Sequence, residues 1–206
     1  METFYSNIYL FLISVVFISL SGVLSPGPVF AATIAKGRKD KNAGVLISVG
    51  HGVIEFPLMI LIYLGFSKFF TSEGIKTVIG IGGGLMLFYM GFDMIKVRKD
   101  MTGKGRDLSY GSLFAGFFTT TSNPYFFLWW ATIGATLIVA ASGFGVTGFL
   151  IFMVVHWSCD LVWYSFVSRM VNRSAHLWSK RVHEVVFGSC GLFLVGFGLW
   201  FIASVV

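Results

Sequence analysis

The sequence has 206 residues, of which 56% are hydrophobic and only 12% charged, with a formal net charge of +6. Soluble domains carry about 25% charged residues, so this composition excludes an ordinary soluble globular protein. It predicts instead an all-α integral membrane protein, whose apolar helices of about 20 residues cross the bilayer.

Six apolar segments follow one another along the chain, and each is long enough for a transmembrane helix. We place them near residues 7–35, 43–66, 75–95, 109–141, 145–168 and 184–205. The first and fourth would be about 42 and 50 Å long as straight helices, which exceeds the ~30 Å hydrocarbon core. These two segments are also the ones that contain proline motifs.

The basic residues are distributed unevenly between the loops. The loops after the first, third and fifth spans hold 13 of the 15 lysines and arginines, which leaves Lys68 and Lys76 for the opposite face. The positive-inside rule therefore predicts a multi-pass protein of the cytoplasmic membrane with both termini outside. Topology and contact with anionic lipids of the bilayer explain the net positive charge, so we expect no nucleic-acid partner.

Proline motifs interrupt the first and fourth spans at Pro26-Gly27-Pro28 and at Asn123-Pro124. Proline lacks an amide donor and collides with the preceding helical turn, so each motif predicts a helix break. Unpaired backbone groups cost several kcal/mol in hydrocarbon, and breaks persist only where protein or water covers them. We interpret the breaks as half-helix ends that bind a polar solute near the membrane centre. Simple kinks that improve helix packing are the alternative interpretation.

The two halves of the chain contain the same motifs in the same order. A broken span is followed by a span with a histidine and a carboxylate four residues later, then by a span with a G-L-x-L-x-x-x-G pattern. We interpret them as repeats of about 1–99 and 108–206 within one membrane domain. Three spans per repeat make the second repeat inverted, a plan typical of secondary transporters. Chance similarity between membrane segments is the alternative.

The spacing of the motifs differs between the two repeats. Pro28 and His51 are 23 residues apart, whereas Pro124 and His156 are 32 residues apart. The difference predicts an insertion after the second break.

Ionisable residues lie in the middle of the second and fifth spans. His51 and Glu55, and likewise His156 and Asp160, are four residues apart and share a helix face. Both carboxylates fall about 18 Å from a membrane surface, close to the midplane. An ionisable group there costs at least about 2.5–3.5 kcal/mol, which favours a functional explanation. We interpret the four residues as proton-coupling groups; pairs that only hold helices together are the alternative.

Three stretches resemble the lysine exporter (LysE) family, which includes the homoserine and threonine exporters: SGVLSPGPVF, KGRKDKNAG and GSLFAGFFTTTSNPYFFLWW. The resemblance extends over nearly the whole chain in length, span number and motif order. It implies export of small amino acids or related metabolites. Many members carry lysine after the Asn-Pro motif, whereas this chain has Tyr125, which marks a divergent branch.

The breaks and the resemblance together suggest a set of residues for substrate translocation. Trp129 and Trp130 follow the second break and are candidates for cation–π contact with a substrate ammonium; lipid-facing anchors are the alternative. The complete translocation set is Pro26, Gly27, Pro28, Asn123, Pro124, Tyr125 and Trp129.

We therefore expect a proton-coupled secondary transporter rather than an enzyme, without a cofactor. No GxxxxGK[ST] loop occurs in the sequence, which excludes a self-contained ATP-driven pump. The alternative is a divalent-metal transporter, because two imidazoles and two carboxylates suit a tetrahedral or octahedral site. A membrane thiol–disulfide carrier would need reactive cysteines in spans one and four, but Cys159 and Cys190 lie in spans five and six. The particular substrate and the formation of a homo-oligomer stay open.

Overall fold

The computed structural model describes residues 7–24, 27–66, 73–99, 111–203 and 205. Within these ranges the regular secondary structure is entirely helical, as the composition predicts. Five helical stretches are long and apolar enough to cross a membrane: Ala43–Tyr63, Glu73–Lys96, Pro124–Ser142, Gly145–Leu177 and Lys180–Ala203.

The helices are numbered here in chain order. They are α1 (Ile8–Val23), α2 (Pro28–Gly37), α3 (Ala43–Tyr63), α4 (Glu73–Val97), α5 (Ser112–Thr121), α6 (Pro124–Trp129), α7 (Ala135–Ser142), α8 (Gly145–Ser174) and α9 (Lys180–Ala203). A π-helical turn, Trp130–Gly134, joins α6 to α7. Helix α1 has 16 residues and is therefore about 24 Å long, shorter than the hydrocarbon core, so the first predicted span needs α2 to complete it.

The first interruption lies at the predicted proline–glycine motif. Helix α1 ends at Val23 and α2 begins at Pro28. Proline is tolerated at a first helical position because its missing N–H would have no intrahelical partner there. Gly27 is extended and accepts the amide of Ala31 at 3.0 Å, which starts the new helix. Pro26, which the sequence assigns to the same break, lies outside the described residues.

The second interruption lies at Asn123-Pro124, between α5 and α6. The Asn123 side-chain oxygen accepts the amide of Tyr125 at 3.1 Å and caps the new helix. From there α6, the π turn and α7 run on together for 19 residues, whereas α2 has 10. This surplus of nine residues equals the surplus in the proline-to-histidine spacing, so the half-helix after the second break accounts for the predicted insertion.

Glycines allow the helix backbones to touch at several contacts, among them α4–α9, α3–α8 and α3–α5. Helices α4 and α9 are antiparallel, and a Cβ added at Gly84 or Gly91 would lie 2.5 Å from the carbonyl oxygen of Gly198 or Gly191, respectively. Small residues of this kind permit close packing of membrane helices. Helices α3 and α8 also pack closely, with Gly44 against the α8 backbone. The α3–α8 contact brings the second and fifth predicted spans, and their ionisable residues, together.

Candidate functional site

All four predicted ionisable residues meet at the contact between α3 and α8. His51 and Glu55 project from α3, and His156 and Asp160 project from α8. Each is at most 5% exposed. The structure therefore brings the two predicted groups into one cluster, which we call the His–carboxylate cluster.

Glu55 lies at the centre of the His–carboxylate cluster. Its Oε1 atom is 3.1 Å from Nε2 of His51 and 3.3 Å from Nε2 of His156. Asp160 Oδ1 is 3.9 Å from Nε2 of His51. His156 thus reaches the carboxylate of the other helix. The sequence suggested two separate pairs within single helices; the actual arrangement is shared between the helices.

A hydroxyl group holds the far side of each imidazole ring. Ser19 Oγ of α1 is 2.7 Å from Nδ1 of His156, and Thr120 Oγ1 of α5 is 2.8 Å from Nδ1 of His51. Each hydroxyl also lies close to a carbonyl oxygen of its own helix, Val15 at 2.6 Å and Gly116 at 2.7 Å. A hydroxyl has a single hydrogen, and here it donates to that carbonyl, so we infer that Nδ1–H of each histidine donates to the hydroxyl.

This hydrogen bonding has a direct consequence for the opposite nitrogen of each ring. A neutral imidazole protonated at Nδ1 presents a lone pair at Nε2. Both Nε2 atoms face the same oxygen of Glu55, which also carries lone pairs. The lone pairs of the two Nε2 atoms and of the Glu55 oxygen repel one another unless positive charge, either protons or a cation, lies between them. The geometry therefore suits a site that exchanges protons or binds a cation.

Sequence reasoning missed Ser19 and Thr120. Both are buried and belong to the half-helices that precede the two breaks. A hydroxyl within one or two turns of a break is the signal that could have drawn attention to them. The other residue missed is Tyr164, which lies one turn after Asp160 and is buried beside it.

The His–carboxylate cluster lines a partly open cavity. A second cavity adjoins it and extends to Phe197 and Trp200 of α9. The two cavities share lining residues from both breaks and from α8: Gly22, Val29, Asn123, Tyr125 and Tyr164. The cluster therefore has a route past the two helix breaks.

The predicted translocation residues are placed differently from one another. Asn123 and Tyr125 line both cavities, and Gly27 and Pro28 line the second. Pro124 begins α6 and lines neither cavity. The geometry thus separates residues that face the cavities from one that shapes the break.

The two tryptophans after the second break are buried. Trp129 and Trp130 are 9% and 1% exposed, so the alternative of lipid-facing anchors is wrong for both. Their ring centroids lie 5.5 and 4.8 Å from that of His156. Trp129 also lines the first cavity. The indole rings form an apolar wall on the His156 side of the cluster.

Side-chain nitrogen and oxygen atoms of the His–carboxylate cluster form a candidate set of metal ligands. One ligand atom from each of His51, Glu55 and Asp160 lies within 4.8 Å of the other two.

The two cysteines are free thiols on α8 and α9, at Cys159 and Cys190. They therefore do not form the disulfide that a thiol–disulfide carrier requires.

Comparison with known proteins gives three matches along most of the chain. Residues 20–204 match the family model described as LysE type translocator. The chain is 31% identical over 202 residues to "Putative amino acid efflux protein YcgF" of Bacillus subtilis (strain 168), covering 95% of both chains. It is 23% identical over 207 residues to "Threonine efflux protein" of Salmonella typhi, covering 93% of this chain and 97% of the relative. No solved structure gives a significant match.

Proposed function

The chain belongs to the LysE type translocator family, and we propose that it exports small amino acids or closely related metabolites by exchange for protons. The family confirms the resemblance drawn from the two proline motifs and makes the protein a multi-pass membrane transporter rather than an enzyme. The names of the relatives, amino acid efflux protein and threonine efflux protein, support an amino acid as the substrate.

One observation carries the proposal of proton coupling. Two imidazoles converge on one oxygen of Glu55, at 3.1 and 3.3 Å, inside a cavity that reaches both helix breaks. Protons at Nε2 of His51 and His156 satisfy this arrangement. When a substrate ammonium enters beside Glu55 or Asp160, it supplies the positive charge instead, and a proton is released. Competition between proton and substrate for the same carboxylates is the basis of an exchanger.

The substrate carboxylate is assigned to the first break. Helix α2 starts at Pro28 with no side chain among the described residues capping its first amides, and Val29 at its N-terminus lines both cavities. A helix N-terminus carries a partial positive charge that favours an anion. An amino-acid zwitterion then places its carboxylate at α2 and its ammonium towards the His–carboxylate cluster.

The contacts within the molecule support the proposed inverted repeats, about 1–99 and 108–206. In the proposed repeats, His51 corresponds to His156 and Glu55 corresponds to Asp160. Swapping the repeats therefore turns the contact between His51 and Asp160 into the contact between His156 and Glu55, and both contacts are present. The same holds for the glycines: the pair Gly84 and Gly198 exchanges with the pair Gly191 and Gly91. Such exchange is what a pseudo-two-fold axis in the membrane plane produces.

The two hydroxyls follow the same rule. Ser19 precedes the first break and bonds His156 in the second repeat, whereas Thr120 precedes the second break and bonds His51 in the first. With this repeat we propose cytoplasmic loops after spans one, three and five, and both termini outside, on the strength of the basic residues.

The substrate is identified by comparing the media of expressing and non-expressing cells. A metabolite that accumulates outside only with expression is then tested in proteoliposomes, first by counterflow and then with an imposed pH gradient. If no small amino acid accumulates outside the cells or exchanges in proteoliposomes, the proposed substrate class is contradicted.

Proton coupling is tested with Glu55→Gln and Asp160→Asn. Each change removes a carboxylate that must gain and lose positive partners in every cycle. We expect both variants to insert into the membrane, since removal of a buried charge lowers the insertion cost. Counterflow should persist, because the remaining carboxylate can still hold the substrate ammonium, whereas accumulation driven by the pH gradient should be lost. Wild-type accumulation in both variants would make the carboxylates structural.

A further inference from the structure

The His–carboxylate cluster has the donor atoms and spacing of a transition-metal site. We propose that His51, Glu55 and Asp160 bind a divalent transition-metal ion such as Zn²⁺, and that the bound ion blocks the amino-acid exchange proposed above. Zinc takes imidazole nitrogen and carboxylate oxygen ligands at about 2.0–2.2 Å, which separates neighbouring ligands of a tetrahedron by about 3.3–3.6 Å. Nε2 of His51 lies 3.1 Å from Glu55 Oε1 and 3.9 Å from Asp160 Oδ1, and one ligand atom from each of the three residues lies within 4.8 Å of the other two.

The surroundings of the ligands also suit a metal. A metal-bound histidine usually donates its other ring N–H to an oxygen, which fixes the ring and directs the lone pair at the ion. Thr120 is such an oxygen for His51, at 2.8 Å. The Nε2 lone pair of His51 is thereby directed at Glu55, 3.1 Å away.

A second observation on Glu55 points to a ligand. Its Oε2 atom is buried and has no hydrogen-bond partner among the described residues. A buried carboxylate oxygen without a partner costs free energy that a cation would recover. The adjoining cavities lead from the cluster past the breaks, which gives an ion a way in.

We expect the metal ion to inhibit exchange rather than to be transported, because its ligands come from two different helices. His51 and Glu55 belong to α3 and Asp160 belongs to α8, one helix from each proposed repeat. Alternating access needs the two repeats to move against each other around the site. A metal bonded to both helices would tie them together and would also occupy the positions of the coupling protons.

The metal site itself is tested by calorimetry on the purified full chain in detergent, with Zn²⁺ and with Mg²⁺ for comparison. We expect one Zn²⁺ per chain and no comparable binding of Mg²⁺, which prefers oxygen ligands. His51→Gln should weaken Zn²⁺ binding at least about tenfold. His176→Gln is the matched control because His176 is exposed and lies outside the cluster.

Thermal unfolding without metal verifies that the variants are folded. Asp160→Asn is a second test of the Zn²⁺ site, because the substitution is nearly isosteric and keeps both histidines. Equal Zn²⁺ affinity in wild type, His51→Gln and Asp160→Asn would overturn the site. So would wild-type binding no tighter than that of Mg²⁺, or an equal loss of affinity in His176→Gln.

The block is measured separately, by amino-acid counterflow in proteoliposomes with and without saturating Zn²⁺. We expect counterflow to stop in wild type when Zn²⁺ is added, to resume when a chelator removes the Zn²⁺, and to continue when Mg²⁺ is added instead. Unchanged wild-type counterflow would overturn the block, and so would accumulation of radioactive zinc inside the vesicles. Absence of counterflow before zinc is added would count against the proposed function alone, because calorimetry decides the metal site independently.

Discussion

Replacing Thr120 with valine is the sharpest test of how the His–carboxylate cluster holds its proton. Valine has nearly the shape of threonine but cannot accept the Nδ1–H of His51, which lies 2.8 Å from the hydroxyl. The buried N–H then lacks a partner, unless the proton moves to Nε2 and leaves Nδ1 bare. If the proton moves to Nε2, neutral His51 donates that N–H to Glu55. No additional proton is then needed between His51 and Glu55.

The magnitude follows from the cost of an unpaired buried donor, about 1–3 kcal/mol. At about 1.4 kcal/mol for each factor of ten, the proton-loaded state should become about 5- to 150-fold less favourable. We expect gradient-driven accumulation in proteoliposomes to slow by a similar factor, while counterflow without a gradient stays close to wild type. Ser19→Ala should act in the same way through His156.

Thr119→Val is the matched control. Thr119 is fully buried on the same helix, and its hydroxyl bonds to the carbonyl of Ala115 at 2.6 Å rather than to a histidine. It should therefore leave proton-driven accumulation close to wild type. If Thr120→Val also accumulates substrate at the wild-type rate, the hydroxyl does not control the proton, and the reasoning is refuted.

Other parts of the structure give further predictions. Replacing Pro26 and Pro28 with alanine should retain insertion but reduce export, because a continuous helix hides the first amides of α2; full transport by the double variant would leave the prolines as kinks. Gly91→Leu should lower the thermal unfolding temperature, since a Cβ there lies 2.5 Å from a carbonyl oxygen of α9, whereas Gly82→Leu, with open space around it, should not. Lys39→Cys should resist an impermeant thiol reagent added outside intact cells; labelling there would reverse the proposed topology.

Much of the fold was predictable because it depends on local chemistry. Pro57 lies inside the continuous helix α3, so a proline alone does not interrupt a helix. The interruptions before Pro28 and Pro124 follow from the Pro-Gly-Pro and Asn-Pro motifs, in which a second helix breaker or a capping residue accompanies the proline. The boundary of α8 did not follow: the apolar run ends near residue 168, but the helix continues to Ser174. Polar residues continue a helix as well as apolar ones do once it leaves the membrane.

The site was predictable in its charged members and not in their partners. His51 and Glu55 stand out because ionisable residues are rare in apolar helices. Ser19 and Thr120 do not, because a hydroxyl in a membrane helix ordinarily bonds its own backbone, as both of these also do. Their contact with histidine depends on the rotation of neighbouring helices. The sharing of Glu55 by both histidines depends on the same rotation.

The unequal length of the two half-helices after the breaks bears on the resting orientation of the transporter. A carrier built from two identical inverted repeats would have inward- and outward-open forms of equal energy, because each form is the other with the repeats exchanged. Here the half-helix after the second break has 19 residues, including a π turn, against 10 after the first. The two forms then differ in the contacts that they make and in free energy. With the proposed repeats, we therefore expect unequal populations of the two open forms without substrate, and readier access to the cavity from one side of the membrane.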